Sequence, residues 1–310
     1  MGPVHTPRLT ASLLHPRYLL LWLGLGILWL LVQLPYPSLM KLGRLLGRLA
    51  QRLLKRRVAI ARRNLELAFP ELPVAEREVL LQRNFDSVGC AIFETGMAWF
   101  WSDRRMRRWM QASGVEHITA AQAGQHGMLL LSCHFMTLEL NARMFGLYCP
   151  GVGVYRPNDN PVLEFAQVRG RTRSNKYLLD RRDIKGMIKA LRTGEALWYA
   201  PDHDYGRHAS VFVPFFAVQE SATITGTATL ARVKGTQVLP CYTLRLPDDQ
   251  GYRLVVGAPL DNYPTGDELV DARRSNQVIE AAVRQAPEQY MWLHRRYKTR
   301  PRPEDPSRYA

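Results

Sequence analysis

The run Met128-Leu129-Leu130-Leu131-Ser132-Cys133-His134-Phe135-Met136-Thr137-Leu138-Glu139 opens as an apolar strand and closes on a base and a carboxylate five residues apart. On a continuous α-helix, five residues turn through about 500 degrees, roughly 140 degrees out of alignment, so His134 and Glu139 would not share a face. The backbone must change direction between them. If Gly127 to Cys133 is a buried strand and a helix starts just after His134, the imidazole sits at the junction and Glu139 can reach back to it. A carboxylate there holds one ring nitrogen protonated and leaves the other free to take a proton from a hydroxyl. The bland alternative is a hydrogen-bonded histidine at a strand end, which the pattern alone does not separate from a general base.

Working outward, short apolar strands recur at Gly151 to Tyr155, Ala196 to Ala200, Gln237 to Leu244 and Tyr252 to Val256. Helical stretches lie between them at Asn160 to Arg169, Ile184 to Leu191 and Ser221 to Lys234. That alternation predicts an α/β domain with a central mixed sheet flanked by helices. Upstream, Pro70 to Gln111 reads as mostly helical, with one amphipathic unit over Val74 to Phe85 and a second through Ala91 to Trp101. The aromatic end of the second, Trp99-Phe100-Trp101, suits the core or a groove for a greasy substrate. The tail after Thr299, rich in proline and charge, reads as a loosely held terminus.

The formal charge of +15 is unevenly spread. Met1 to Leu65 holds no Asp or Glu but carries Arg8, Arg17, Lys41, Arg44, Arg48, Arg52, Lys55, Arg56, Arg57, Arg62 and Arg63. Such a block binds nucleic acid or anionic lipid, and its neighbours decide between them. Here they are apolar: Leu19 to Val32 has no charged residue and is long enough to cross most of a bilayer. Residues 1–37 therefore read as an uncleaved membrane anchor, a transmembrane or membrane-embedded helix ended by Pro35 and Pro37, with Tyr18, Trp22, Trp29 and Tyr36 suited to interfacial belts. Residues 38–63 read as a basic amphipathic helix. Leu39, Leu42, Leu45, Leu46, Leu49, Leu53 and Leu54 form its apolar side, and Lys41, Arg44, Arg48, Arg52 and Lys55 meet lipid phosphates. The positive-inside bias puts the main domain, 64–310, in the cytoplasm, with membrane lipids rather than nucleic acid as the partner.

Cys90, Cys133, Cys149 and Cys241 show no paired or metal-finger spacing and read as free thiols. Cys133 and His134 are adjacent on a strand and point to opposite faces, which weakens a Cys-His nucleophile. Asp202-His203-Asp204 follows a strand and could suggest a metal cluster, but no further ligand lies nearby in sequence; no metal is expected.

Several motifs, taken in order, resemble a known family. They are Leu14-His15-Pro16-Arg17-Tyr18, Gln33-Leu34-Pro35-Tyr36-Pro37, Arg63-Asn64-Leu65-Glu66-Leu67, Glu94-Thr95-Gly96-Met97-Ala98-Trp99-Phe100-Trp101, the His134 to Glu139 pattern, Tyr155-Arg156-Pro157-Asn158-Asp159-Asn160, Arg173-Ser174-Asn175-Lys176, Pro201-Asp202-His203-Asp204-Tyr205-Gly206 and Pro287 to Arg296. Together they resemble the late lipid A acyltransferases of Gram-negative bacteria over essentially the whole chain. The resemblance implies a glycerolipid acyltransferase-like α/β fold at the inner membrane. It also implies transfer of a fatty acyl group, lauroyl by the nearest likeness, from acyl carrier protein to the hydroxyl of a 3-hydroxyacyl chain on Kdo-substituted lipid IVA. No cofactor is implied beyond the carrier's phosphopantetheine. The family's H-x-x-x-x-D/E signature maps onto His134 and Glu139, and the resemblance makes Asp202 an active-site residue paired with an arginine.

On that reading His134 deprotonates the acceptor hydroxyl while Glu139 fixes its ring, and Arg171 or Arg156 stabilises the oxyanion. The resemblance favours Arg171. Arg156, Arg173, Lys176 and Arg295 are expected to bind substrate, and His294-Arg295-Arg296 either contacts acceptor phosphate or caps the structure. A paralogue with palmitoleoyl or myristoyl preference, a glycerophospholipid acyltransferase and a non-enzymatic basic membrane protein are the alternatives.

Overall fold

All five expected strands form. In the computed structural model, which describes residues 2–309, the chain begins with α1 (Leu19–Leu31), α2 (Tyr36–Leu53), α3 (Lys55–Ala68), α4 (Val74–Phe100) and α5 (Asp103–Arg108). It continues as β1 (Met110–Ser113), α6 (Val115–Ala123), β2 (Gly127–Leu131), α7 (Leu138–Phe145), β3 (Gly151–Tyr155), α8 (Pro161–Arg171), β4 (Asn175–Asp180), α9 (Ile184–Arg192) and β5 (Ala196–Tyr199). Then come the hairpin β6 (Ser210–Phe215) and β7 (Val218–Ile224), α10 (Gly226–Ala231), β8 (Thr236–Arg245), β9 (Tyr252–Val256) and α11 (Glu268–Gln285). Seven strands make one mixed sheet in the order β1-β9-β8-β2-β5-β3-β4, parallel throughout except where β9 runs antiparallel to β8.

β2 lies at the centre and is buried at every position. Its period-2 geometry splits its side chains between two cores. Leu129 and Leu131 pack with Leu65, Met187, Leu191, Ile279 and Val283 from α3, α9 and α11. Met128 and Leu130 pack with Leu39, Met40, Phe93, Met97, Leu140 and Met144 from α2, α4 and α7. A sheet covered on both faces needs apolar residues on both faces, which is why β2 reads as a continuous run.

Three expectations fail for identifiable reasons. The helix expected over Ser221 to Lys234 is β7 followed by the short α10, because Ala222 and Ser221 pair across the hairpin with Phe212 and Val213. The two helical units between Val74 and Trp101 are one helix, α4, with no breaker between them. The tail is docked rather than loose: Asp204 accepts from Thr299 N (2.8 Å) and Thr299 Oγ1 (2.7 Å), and the Tyr309 hydroxyl accepts from Tyr297 N (2.9 Å).

The N-terminal third departs furthest from the sequence reading. α1 has 13 residues, and at about 1.5 Å per residue it is roughly 20 Å long, short of a hydrocarbon core of about 30 Å. Among the described residues no helix is long and apolar enough to cross a membrane, so of the two expected forms of the anchor the spanning one finds no support here. One side of α1 lies on α4, where Leu28 and Val32 cover Gly96 and Trp101 Nε1 donates to Val32 O (2.7 Å). The other side exposes Leu19, Leu20, Leu23, Ile27 and Leu30. Tyr36, expected at an interfacial belt, is buried against Trp109 and Tyr252.

The helix expected over 38–63 is two helices broken at Leu54, and its apolar side is divided. Leu39 and Met40 turn inward, while Leu45, Leu49 and Leu53 stay exposed beside Lys41, Arg48 and Arg52. Glycines set how closely α2 meets α4. A Cβ on Gly47 would sit 2.0 Å from Phe85 O, and one on Gly89 would sit 2.0 Å from Gly43 O. Gly47→Ala and Gly89→Ala should therefore each cost about 1–3 kcal/mol in a denaturant melt. Gly24→Ala, whose Cβ has open space, should be neutral or slightly stabilising.

Candidate active site

His134 lies in the turn between β2 and α7, the strand-to-helix junction that the spacing predicts. Glu139, however, does not reach its ring. The ring's partner is Asp202, just beyond β5: His134 Nδ1 donates to Asp202 Oδ1 (2.7 Å) and the His134 backbone N–H to Oδ2 (3.0 Å). The Tyr290 hydroxyl also donates to Oδ2 (2.8 Å). An ionised carboxylate can only accept, so Nδ1 carries the proton and Nε2 is left with its lone pair. Burial alone would raise the Asp202 carboxyl, but the His134 ring, its backbone N–H and His203 outweigh it and hold the group well below the usual carboxylate range.

Glu139 begins α7 pointing toward α8 and α4, where it accepts from Arg171 Nε (3.0 Å) and Trp99 Nε1 (3.0 Å) and forms a two-pronged ion pair with Arg171. Burial pushes the Glu139 carboxyl up, and Arg171 and Trp99 together bring it below its ordinary value. Asp202, expected to pair with an arginine, pairs with the histidine; Glu139, expected on the histidine, holds the arginine.

A cleft of about 530 Å³ opens above His134 at the carboxyl ends of β3 and β5. Val154, Trp198, Tyr199, Ala200 and Ile224 give it apolar walls, and Arg156, Arg181 and Arg182 add cationic groups beside His208. In parallel α/β sheets this is where ligands bind. Arg156 lines this cleft, with Asp159 (3.1 Å) as its only partner among the described residues. Arg171 does not line this cleft, and its guanidinium is held by Glu139, so it is not available here as an oxyanion donor.

The other expected substrate residues are engaged elsewhere. Arg173 caps the carbonyls of Trp99 and Trp101 at the end of α4. Lys176 pairs with Glu195, and Arg295 lies over the Tyr309 ring at 5.6 Å. Arg296 is buried against Phe215 and donates to Ser221 Oγ (2.9 Å), as a structural cap would. Cys133 is buried and burial pushes its thiol up, so it is no nucleophile. A second cleft of about 750 Å³ lies away from His134, between α1, Trp99, Phe100 and Phe165, so the aromatic end of α4 serves both core and groove.

Sequence reasoning missed Tyr290, Arg181 and the face of the His134 ring. His203 stacks on it with ring centroids 3.5 Å apart, and His294 stacks on His203 at 4.1 Å, both nearly parallel at 14°. His134 is also the neighbour that Asp202 and His203 lacked in sequence. Lone pairs of parallel rings run side by side rather than toward one point, a poor geometry for chelation.

The residues 7–299 match the model of a family described as bacterial lipid A biosynthesis acyltransferase. The chain belongs to this family. It is therefore an acyltransferase, and its relatives cover it almost end to end. It is 56% identical over 303 residues to the lipid A biosynthesis lauroyltransferase of Escherichia coli K12, covering 98% of this chain and 99% of the relative. The palmitoleoyltransferase of the same strain is 48% identical, with 95% and 96% covered, and the myristoyltransferase 29%, with 96% and 92% covered.

Two substitutions test this geometry, and acid tests it further. Asp202→Asn should lower kcat by about 10³–10⁴ while leaving the thermal melt cooperative, because an amide in that place favours the wrong His134 tautomer. Glu139→Gln, which strands Arg171 beside a neutral amide, should cost about 3–5 kcal/mol of stability. Acid should destabilise the fold in two stages. Burial pushes His203 down to about 3, aided by the His134 charge, so the unfolded chain takes up protons there first and stability falls as pH drops below about 6.5. The contributions of Asp202 and Glu139, depressed carboxyls, are complete above the ordinary carboxylate range and are lost only as pH falls through and below it. Melts at pH 7, 5 and 4 should show the first loss shrinking in His203→Phe.

Proposed function

We propose that this acyltransferase moves a lauroyl group from acyl carrier protein to the hydroxyl of a 3-hydroxyacyl chain on a Kdo-substituted lipid IVA, at the cytoplasmic face of the inner membrane. The observation that carries the chemistry is the Asp202–His134 pair at the floor of a half-apolar, half-cationic cleft. His134 Nε2 takes the acceptor's hydroxyl proton as the oxygen attacks the thioester carbonyl. Asp202 stabilises the imidazolium, the C–S bond breaks, and the departing thiolate takes the proton from the imidazolium. No acyl-enzyme forms and no metal enters. Arg156 and Arg181 suit the acceptor's phosphates and acidic sugars, Arg182 being held by Asp180 (3.1 Å), and the apolar walls suit an acyl chain. Glu139 and Arg171 hold α7 against α8 and so fix the helix that follows the catalytic turn.

The exposed leucines of α1 and the Leu45-Leu49-Leu53 stripe, flanked by Lys41, Arg48 and Arg52, favour a helix pair embedded in one leaflet. Residues 1–63 then act as the membrane-binding part and 64–310 as the acyltransferase domain. The acidic carrier protein would dock by charge on the basic surface around the cleft.

The lauroyl assignment rests on the greater likeness to the lauroyltransferase than to the palmitoleoyl- and myristoyltransferases. Purified full-length protein given lauroyl-, myristoyl- and palmitoleoyl-carrier thioesters with Kdo₂-lipid IVA should yield, by mass spectrometry, the lauroyl product at least about tenfold faster. A faster palmitoleoyl product would reassign the donor. Acylation of a lysophospholipid instead would remove the acceptor assignment.

A further inference from the structure

The Asp202 hydrogen bond fixes where His134 Nδ1 lies, but it leaves the ring free to tilt about that contact, and sp³–sp² torsions are broad. The tilt decides where Nε2 points. His203 removes this freedom, because its ring lies flat on the face of His134 at 3.5 Å. His294 closes the stack from behind. The backing is rigid: Met291 N donates to His134 O (3.0 Å), Met136 N to Gln289 O (2.7 Å), and buried Asn64 donates to His294 O (2.7 Å). Edge and face of one imidazole are thus gripped by consecutive residues, Asp202 and His203.

Packing alone does not account for histidine at these places. Both His203 Nε2 and His294 Nε2 are buried without a hydrogen-bond partner among the described residues, which an apolar side chain would avoid. A flat ring offers something an aliphatic group lacks: a π-face that tolerates its neighbour as either imidazole or imidazolium. Burial keeps His203 itself neutral.

We propose that His203, backed by His294, is a positioning residue whose ring clamps the face of His134, aiming Nε2 at the acceptor hydroxyl and accommodating the imidazolium. The proposal rests on His134 being the base.

The experiment compares His203→Phe, His203→Leu and His203→Ala in the full-length protein, with lauroyl-carrier thioester and Kdo₂-lipid IVA as substrates. Phe keeps a flat ring and should retain kcat within about threefold. Leu and Ala should lose about 10²-fold in kcat with KM nearly unchanged, the scale of a misaimed catalytic group. Equal kcat for Leu and Phe would overturn the clamp, because volume alone would then suffice. An equal loss in Phe and Ala would also overturn it, because the imidazole's own chemistry would then be needed. If the Leu and Ala variants lose cooperative melts, the same comparison at His294 decides, with smaller losses expected for His294→Leu than for its partner layer and none for His294→Phe. Full activity in His134→Ala would instead sink the reading of His134 as base, whatever the His203 series does.

Discussion

The carboxylate of Asp202 is the constraint around which the site is assembled. It is almost wholly buried, and a buried charge is tolerated only where donors surround it. Three donors from two distant segments do so: the His134 backbone, the His134 ring and the Tyr290 hydroxyl. The loop after β5, the turn after β2 and the C-terminal segment are therefore coupled through one group. Asp204, two residues on, extends the coupling by holding Thr299 and so the chain end. A tail that looks mobile by composition is held because it supplies donors to a carboxylate that needs them.

The same logic accounts for the exchange of partners between the two acids. The sequence reading put Glu139 on the His134 ring and Asp202 on an arginine, and spacing cannot say which acid pairs with which partner. The direction of α7 decides it. Glu139 emerges on the side facing α8, where Arg171 waits, and its ion pair with a Trp99 hydrogen bond satisfies a partly buried carboxylate away from the His134 ring. Five residues apart, His134 thus lies in the cleft while Glu139 fixes the helix leaving it.

Much of this was legible in the sequence because it depends on local periodicity. The continuous apolar run of β2, its turn at His134 and the five core strands follow from the alternation of strand and helix patterns. What was not legible depends on pairs far apart in the chain. Asp202 lies 68 positions from His134 and the His294 ring lies further still, so nothing local marks the stack, although Asp202-His203-Asp204 was visible as an unusual cluster. The N-terminal third misled for another reason. Hydropathy records that Leu19 to Val32 and the leucines of α2 are apolar, but not that part of that surface is covered by α4 through glycine-lined contacts. The apolar residues left over, on α1 and at Leu45, Leu49 and Leu53, stay exposed on the surface of the fold.

The central claim is that Asp202, and not Glu139, holds the His134 ring. Proton NMR of ¹⁵N-histidine-labelled protein reads it directly, through the strongly deshielded Nδ1–H that a short bond to a carboxylate produces. That signal should persist in a folded, more conservative Glu139→Asp variant and vanish in Asp202→Asn. Its loss on changing Glu139, with survival in Asp202→Asn, would contradict the arrangement.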